Sequence, residues 1–108
     1  MANTFKSVVK ASIGTGGYTV YTCPSSTTTI IIGFGLANRT ASDLTVDVQL
    51  AKSGSDTIYL ANDLNLPPGN LFDFNAGNKI IVQQGDSLTI TSSVNSSVDV
   101  ILSLLEQT

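Results

Sequence analysis

The stretch TTTIIIGFGLANRT, residues 27–40, holds the longest apolar run of the chain, and its reading decides the fold. The apolar core of the run extends from Ile30 to Ala37. A helix crossing a bilayer needs about 20 apolar residues, so this run is too short to span one. A soluble helix is also disfavoured, because three threonines lead into three isoleucines and two glycines follow within three positions. β-branched side chains lose χ1 freedom in a helix and pack well on a pleated surface, and a glycine inside a helix costs about 1 kcal/mol. The Gly-Phe-Gly triplet does not make a dinucleotide loop. That fingerprint needs a third glycine and a following helix, whereas Asn38 stands at the sixth position here and no helical pattern follows. The run therefore reads as a strand. Strict alternation places Ile30, Ile32, Phe34 and Leu36 on one face, with Thr29, Ile31, Gly33, Gly35 and Ala37 on the other. One large and one small face suit a central strand closely covered on its second side, by ordinary sandwich packing, another subunit or the N-terminal arm.

Working outward, period two recurs almost everywhere. Residues 4–13 place Phe5, Val9, Ala11 and Ile13 opposite Lys6, Val8, Lys10 and Ser12. In the segment 43–52, Leu44, Val46, Val48 and Leu50 point inward, while Thr45, Asp47, Gln49 and Ala51 point out. Shorter strands are expected at 18–22, 57–62, 79–82 and 87–92, with Pro67-Pro68-Gly69 as a tight connection between two short strands within 64–74. The segment 97–105 carries Val98, Val100, Leu102 and Leu104 on one face and Ile101 and Leu105 on the other, which marks a central or partner-covered strand. Turn signals such as GTGG, CPSS, NRTAS, SGSD, NAGN and QQGD separate these segments, and none has a 3.6-residue period. The expected fold is all-β: a single antiparallel β-sandwich, jelly-roll or Ig-like, of about eight or nine short strands. Residues 1–17 read as an N-terminal strand or arm able to contact a partner, and residues 18–108 as the sandwich domain.

Composition narrows the function. With 108 residues the chain can bury a real core without disulfides or metal. Ser and Thr number 26, charged residues are 12%, and four lysines and one arginine give a net charge of −3 without a basic patch. Binding to nucleic-acid phosphates is not expected. The N-terminal MANTFKSVVK has no apolar signal-peptide core, so synthesis and folding in a cytoplasm are expected, with no membrane partner. The single cysteine, Cys23, precludes an intramolecular disulfide and reads as a packing residue, since no base or cation lies near it in sequence to activate a thiol. No histidine is present, which removes the commonest general base and metal ligand. The Asp63-Leu64-Asn65 and Asp73-Phe74-Asn75 triplets lack the further acidic ligands of a calcium loop. The N-x-S/T triplets at Asn38 and Asn95 matter only in a secreted eukaryotic protein. Tyr18, Tyr21 and Tyr59 are the only candidate sugar platforms, and there is no tryptophan. No catalytic residue, cofactor or metal is expected.

The segments TVYTCPSSTTTIIIGFGLANRT (19–40), VDVQLAKSG (46–54), YLANDLNLPPGN (59–70), KIIVQQGDSLTITSS (79–93) and SVDVILSLLEQT (97–108) make the chain resemble a group of small virion structural proteins of tailed bacteriophages, marine and cyanobacterial ones in particular. The resemblance covers nearly the whole chain from Thr4, with the Pro-Pro-Gly segment as a hairpin. It implies a non-enzymatic virion protein, foremost a capsid decoration or cement protein that stabilises the shell through protein–protein contacts. A neck, tail or fibre accessory subunit and a carbohydrate-binding module are the alternatives. The implied partners are other virion proteins, the major capsid protein or neck and tail proteins, and further copies in a homo-oligomer such as a trimer. The implied location is the virion. Phe5, Val8, Val9, Ile13, Tyr18 and Tyr21 are the expected contact residues.

Overall fold

The computed structural model describes residues 2–69, 71–73 and 79–108. These form nine strands and no helix: β1 (Asn3–Ile13), β2 (Tyr18–Thr22), β3 (Thr28–Asn38), β4 (Leu44–Ala51), β5 (Thr57–Leu66), β6 (Leu71–Asp73), β7 (Ile80–Gln83), β8 (Ser87–Ser92) and β9 (Val98–Gln107). The expected NAGN turn and the Phe74–Asn75 part of the second acidic triplet lie outside the described residues.

Two antiparallel sheets pack face to face. One runs β1-β9-β3, with β6 and β7 following one another along the far edge of β3; the other runs β2-β8-β4-β5. First strand pairs with last, second with second-last, third with the β6–β7 pair, and fourth with fifth. This nested pairing is the jelly-roll solution to closing two sheets over one core, and it selects that topology over the Ig-like one. The two chain ends meet, with the amides of Ala2 and Thr108 each donating to the other's carbonyl at 3.1 and 2.9 Å.

Alternation builds the core. Leu44, Val46, Val48 and Leu50 of β4 are buried, as are Val98, Val100, Leu102 and Leu104 of β9. Each such side chain stabilises the fold by about 1.5–3 kcal/mol relative to exposure. β9 lies between β1 and β3, the central place that its two apolar faces indicated.

Alternation fails at the bulges. In β3, Ile31 pairs with Leu104 and Gly33 with the adjacent Ser103, so Ile32 is an extra residue. Thr29, Ile31, Phe34 and Leu36 are therefore the buried set, while Ile30 is half-buried and Ile32 is exposed. This corrects the faces assigned by strict alternation, because a bulge shifts every later side chain by one position. A second irregularity lies between Lys10 and Ile13, where Ser12 has φ 61°; it turns Ile13 into the core, opposite Phe5 and Val9. In β5 the Asp63 φ of 55° and an interrupted register absorb a kink, so one strand runs through residues expected to be split. The Pro-Pro-Gly segment is not a hairpin, since β5 and β6 belong to different sheets and the connection crosses between them.

The β3 bulge makes a direct prediction. Deleting Ile32 leaves Ile31 facing in, Gly33 out and Phe34 in, with every pairing partner unchanged. The shortened chain is expected to fold with a loss of about 1 kcal/mol or less. Urea unfolding checks this, and a chain that no longer folds would show that the bulge sets the twist of the sheet.

Candidate interaction surface

The outer face of the five-stranded sheet is apolar where the other sheet's outer face is not. Cross-strand partners share a face, so the registers of β1, β9, β3 and β7 define rows. One row is Phe5, Leu105, Ile30 and Ile81, spanning all four strands. The next row is small at Ser7, Ser103 and Gly33, with the exposed extra residue Ile32 standing beside Gly33 at the bulge. Beyond it lie Val9, Ile101 and Gly35, with Asp73 at the next register position on β6, and on the other side a polar row of Asn3, Gln107, Thr28 and Gln83. Phe5 is 74% exposed, Val9 69% and Ile81 48%. The large side chains thus form a ridge beside a shallow trough.

The trough end of the face opens into a depression of about 300 Å³ lined by Val9, Ala11, Ala37, Asp99 and Ile101. The β1 irregularity between Lys10 and Ile13 lies at its rim. Asp99 Oδ1 accepts the Ser12 amide at 3.0 Å and lies 3.6 Å from Arg39 Nε, and Arg39 also donates to the Ser12 hydroxyl. The outer face of the four-stranded sheet instead presents Thr22, Ser87, Ala51 and Thr57 in one row and Thr19, Thr89, Gln49 and Tyr59 in the next.

The structure divides the six residues expected to contact a partner. Phe5 and Val9 stand on the exposed apolar face. Val8 is half-buried on the inner side opposite Leu102. Tyr18 is partly exposed, its ring 4.7 Å below the Lys10 ammonium. Ile13 and Tyr21 are core residues, 2% and 8% exposed. Ile30, Ile81, Ile101 and Leu105 complete the face. Ile101 and Leu105 were legible as the second apolar face of β9; Ile81, in a four-residue strand, gave no periodic signal.

Tyr21 belongs to a buried polar cluster. Its hydroxyl donates to Glu106 Oε2 at 2.6 Å and lies 2.8 Å from the Thr29 hydroxyl. Lys6 on the edge strand β1 reaches Glu106 Oε1 at 2.9 Å, and Cys23 Sγ sits 3.4 Å from Thr29 Oγ1. The Tyr21 hydrogen bond, helped by Lys6, holds the Glu106 carboxyl below its ordinary range against the opposing effect of burial. Burial first, then the facing carboxylate, pushes the Tyr21 phenol up. The cluster ties β1 to β2, β3 and β9 and offers no open approach to a substrate. No group of three His, Cys, Asp or Glu that could hold a metal occurs among the described residues.

No protein-family model and no curated protein matches the sequence. Solved structures do match. A chain of Bacillus endospore appendages, a family of disulfide-linked pili, superimposes with a TM-score of 0.57 at 14% identity, covering 98% of this chain and 88% of that one. A chain from infectious bursal disease virus, Gx strain, superimposes with a TM-score of 0.50 at 16% identity, covering 98% of this chain and 33% of that one. The likeness is one of fold. Both neighbours come from assembled structures, a pilus and a virus, and this chain spans about a third of the viral chain's length.

Proposed function

We propose that this chain is a non-enzymatic structural protein of a tailed-phage virion, a decoration or cement subunit that stabilises the capsid shell. Its contacts are made by the outer face of the five-stranded sheet. The observation that carries the reading is the apolar row Phe5, Leu105, Ile30 and Ile81 across the outer face of the five-stranded sheet, with Phe5 and Ile81 exposed and Leu105 and Ile30 half-buried between them. Contiguous exposed apolar patches of this kind mark interaction sites. Many copies on a symmetric particle can each bind weakly and hold through multivalency.

A fibre or tail subunit is the second reading, favoured by the match to a pilus protein over nearly the full length of both chains. Linkage of subunits by disulfides does not suit this chain, because its only cysteine, Cys23, is 2% exposed in the core.

Quantitative mass spectrometry of purified virions separates these readings. Hundreds of copies per particle are expected for a shell protein, and about six or twelve for a tail component. Absence of the chain from virions overturns both. Phe5→Lys, at an exposed position, is expected to leave the fold intact and to reduce occupancy on particles.

A further inference from the structure

We infer that residues 3–10 of β1 form an exchangeable strand, latched by the Lys6–Glu106 ion pair, which leaves β9 of its own copy and takes the same place on β9 of a second copy. The inference rests on the structural-subunit reading and names the link between neighbouring subunits.

The segment can leave without opening the core. None of residues 3–10 is buried: Val8 and Lys10 are half-buried and the other six are exposed. The core residue of β1 is Ile13, and it lies beyond the register break that follows Lys10. Ser12 has φ 61° inside that break, a backbone state that surrounding contacts must hold, and this marks the pivot. Ile13 is fixed independently of residues 3–10, because its carbonyl accepts the Ser97 amide at 3.0 Å.

Charge complementarity names the occupant. Lys6, Val8 and Lys10 face inward, opposite the buried Leu104, Leu102 and Val100. The Lys6 ammonium meets Glu106 Oε1 at 2.9 Å, and only 8% of the Glu106 side chain is exposed. The Lys10 ammonium lies 4.7 Å over the Tyr18 ring. On a foreign sheet edge Lys6 would lie against apolar groups without a carboxylate. A second copy presents its own Glu106 at the same register, with its own Tyr18 beneath Lys10. Exchange onto that copy restores the contacts it breaks.

Closed and exchanged forms therefore hold the same contacts, and concentration sets the balance. Association costs translational and rotational freedom, so dilute copies keep their own strand. Copies held side by side on an assembly meet at a high effective concentration and exchange. The Lys6–Glu106 pair is present in both forms and broken only between them, so it governs the rate and leaves the balance unchanged.

Disulfide trapping in the full chain tests this. Ser7 and Ser103 are register partners, and directly opposite Cα atoms stand about 4.5–5.5 Å apart, within reach of a disulfide. A Ser7→Cys chain and a Ser103→Cys chain are mixed at about 1 mM and pulsed with a thiol oxidant at intervals. A bond between positions 7 and 103 of different chains, identified by peptide mapping, is expected to accumulate with time and with concentration. Adding Lys6→Gln to the Ser7→Cys chain is expected to speed its appearance about tenfold and to leave the plateau unchanged. A Thr89→Cys chain, altered on the opposite sheet, is the control for chance collision, and circular dichroism verifies that every variant folds. A 7–103 bond no more abundant than the 7–89 bond overturns the inference. A rate unmoved by Lys6→Gln overturns Lys6–Glu106 as the latch. Absence of exchange in a chain that enters virions would remove the link and leave the structural role standing. Exchange in a chain that never enters virions would do the reverse.

Discussion

Replacing Phe34 with alanine is expected to lower the unfolding free energy by about 3–5 kcal/mol. Phe34 is 2% exposed in β3, between the core residues Ile31 and Leu36. It pairs in register with Leu102, itself fully buried. Removing the ring forfeits its transfer free energy and leaves a cavity under a strand held by β9 at Phe34 itself and by β7 and β6 on either side of it, at Ile31 and Gly35. A pinned strand cannot collapse into the gap, which places the loss at the upper part of the range for buried aromatics. Against a total stability of about 5–15 kcal/mol for a native domain, the variant stands near the limit of folding. Phe34→Leu keeps most of the volume and is expected to lose about 1–2 kcal/mol. Urea unfolding measures both; a loss below about 1 kcal/mol for Phe34→Ala would show that the site can relax and is not enclosed as described.

Asp86→Ala is expected to have a comparable effect, about 3–5 kcal/mol, by a different route. Asp86 is 2% exposed at the start of β8. One carboxylate oxygen accepts the Ser53 amide and the other the Gln83 amide, each at 2.8 Å, and the Lys52 ammonium closes the pair. The side chain thus joins the β4–β5 turn to the β7–β8 turn. That second turn is itself constrained: Gly85 has φ 85°, and a Cβ there would lie 2.8 Å from Ser53 Oγ. Alanine at position 86 strands two amides and a partly buried ammonium. Asp86→Asn retains one carbonyl acceptor and is expected to lose about half as much. Burial on its own would push the Asp86 carboxyl up, but Lys52 and the two amides outweigh it and hold the group below its ordinary range. A depressed carboxylate stabilises the fold above its unfolded pKa of about 4, and that stability drains away as pH falls through the lower folded value. Glu106 has the same sign. Acid unfolding of Asp86→Ala should accordingly be less steep than that of the wild type. An equal slope would mean that the carboxylate is not engaged in solution.

Strands with one partner environment per face were legible from sequence alone. β4 and β9 alternate without interruption, and both were assigned inward and outward residues correctly. The failures cluster where the backbone inserts a residue. Nothing in Thr-Thr-Ile-Ile-Ile-Gly-Phe announces that the third isoleucine is the extra one, because all three have the same strand preference and only the pairing with Leu104 and Ser103 decides. Ser12 and Asp63 hide their bulges for the same reason: a positive φ at a non-glycine residue leaves no compositional mark. The Pro-Pro-Gly segment signalled a reversal truly but could not say that the chain changes sheets there. Tyr21 was placed at the surface because a tyrosine near a terminus is ambiguous; Glu106, two residues beyond Leu104 on the inward register of β9, was the available clue that a buried partner awaited its hydroxyl.

β9 sits between β1 and β3, so the middle of the five-stranded sheet is supplied by a segment far in sequence from both of its neighbours. A chain cut before Val98 leaves the gap between these two strands empty. Neither the hydrophobic interior nor the ridge of Phe5, Leu105, Ile30 and Ile81 can then form. A truncated chain has no finished surface to offer, and damaged copies are kept out of whatever the subunit builds.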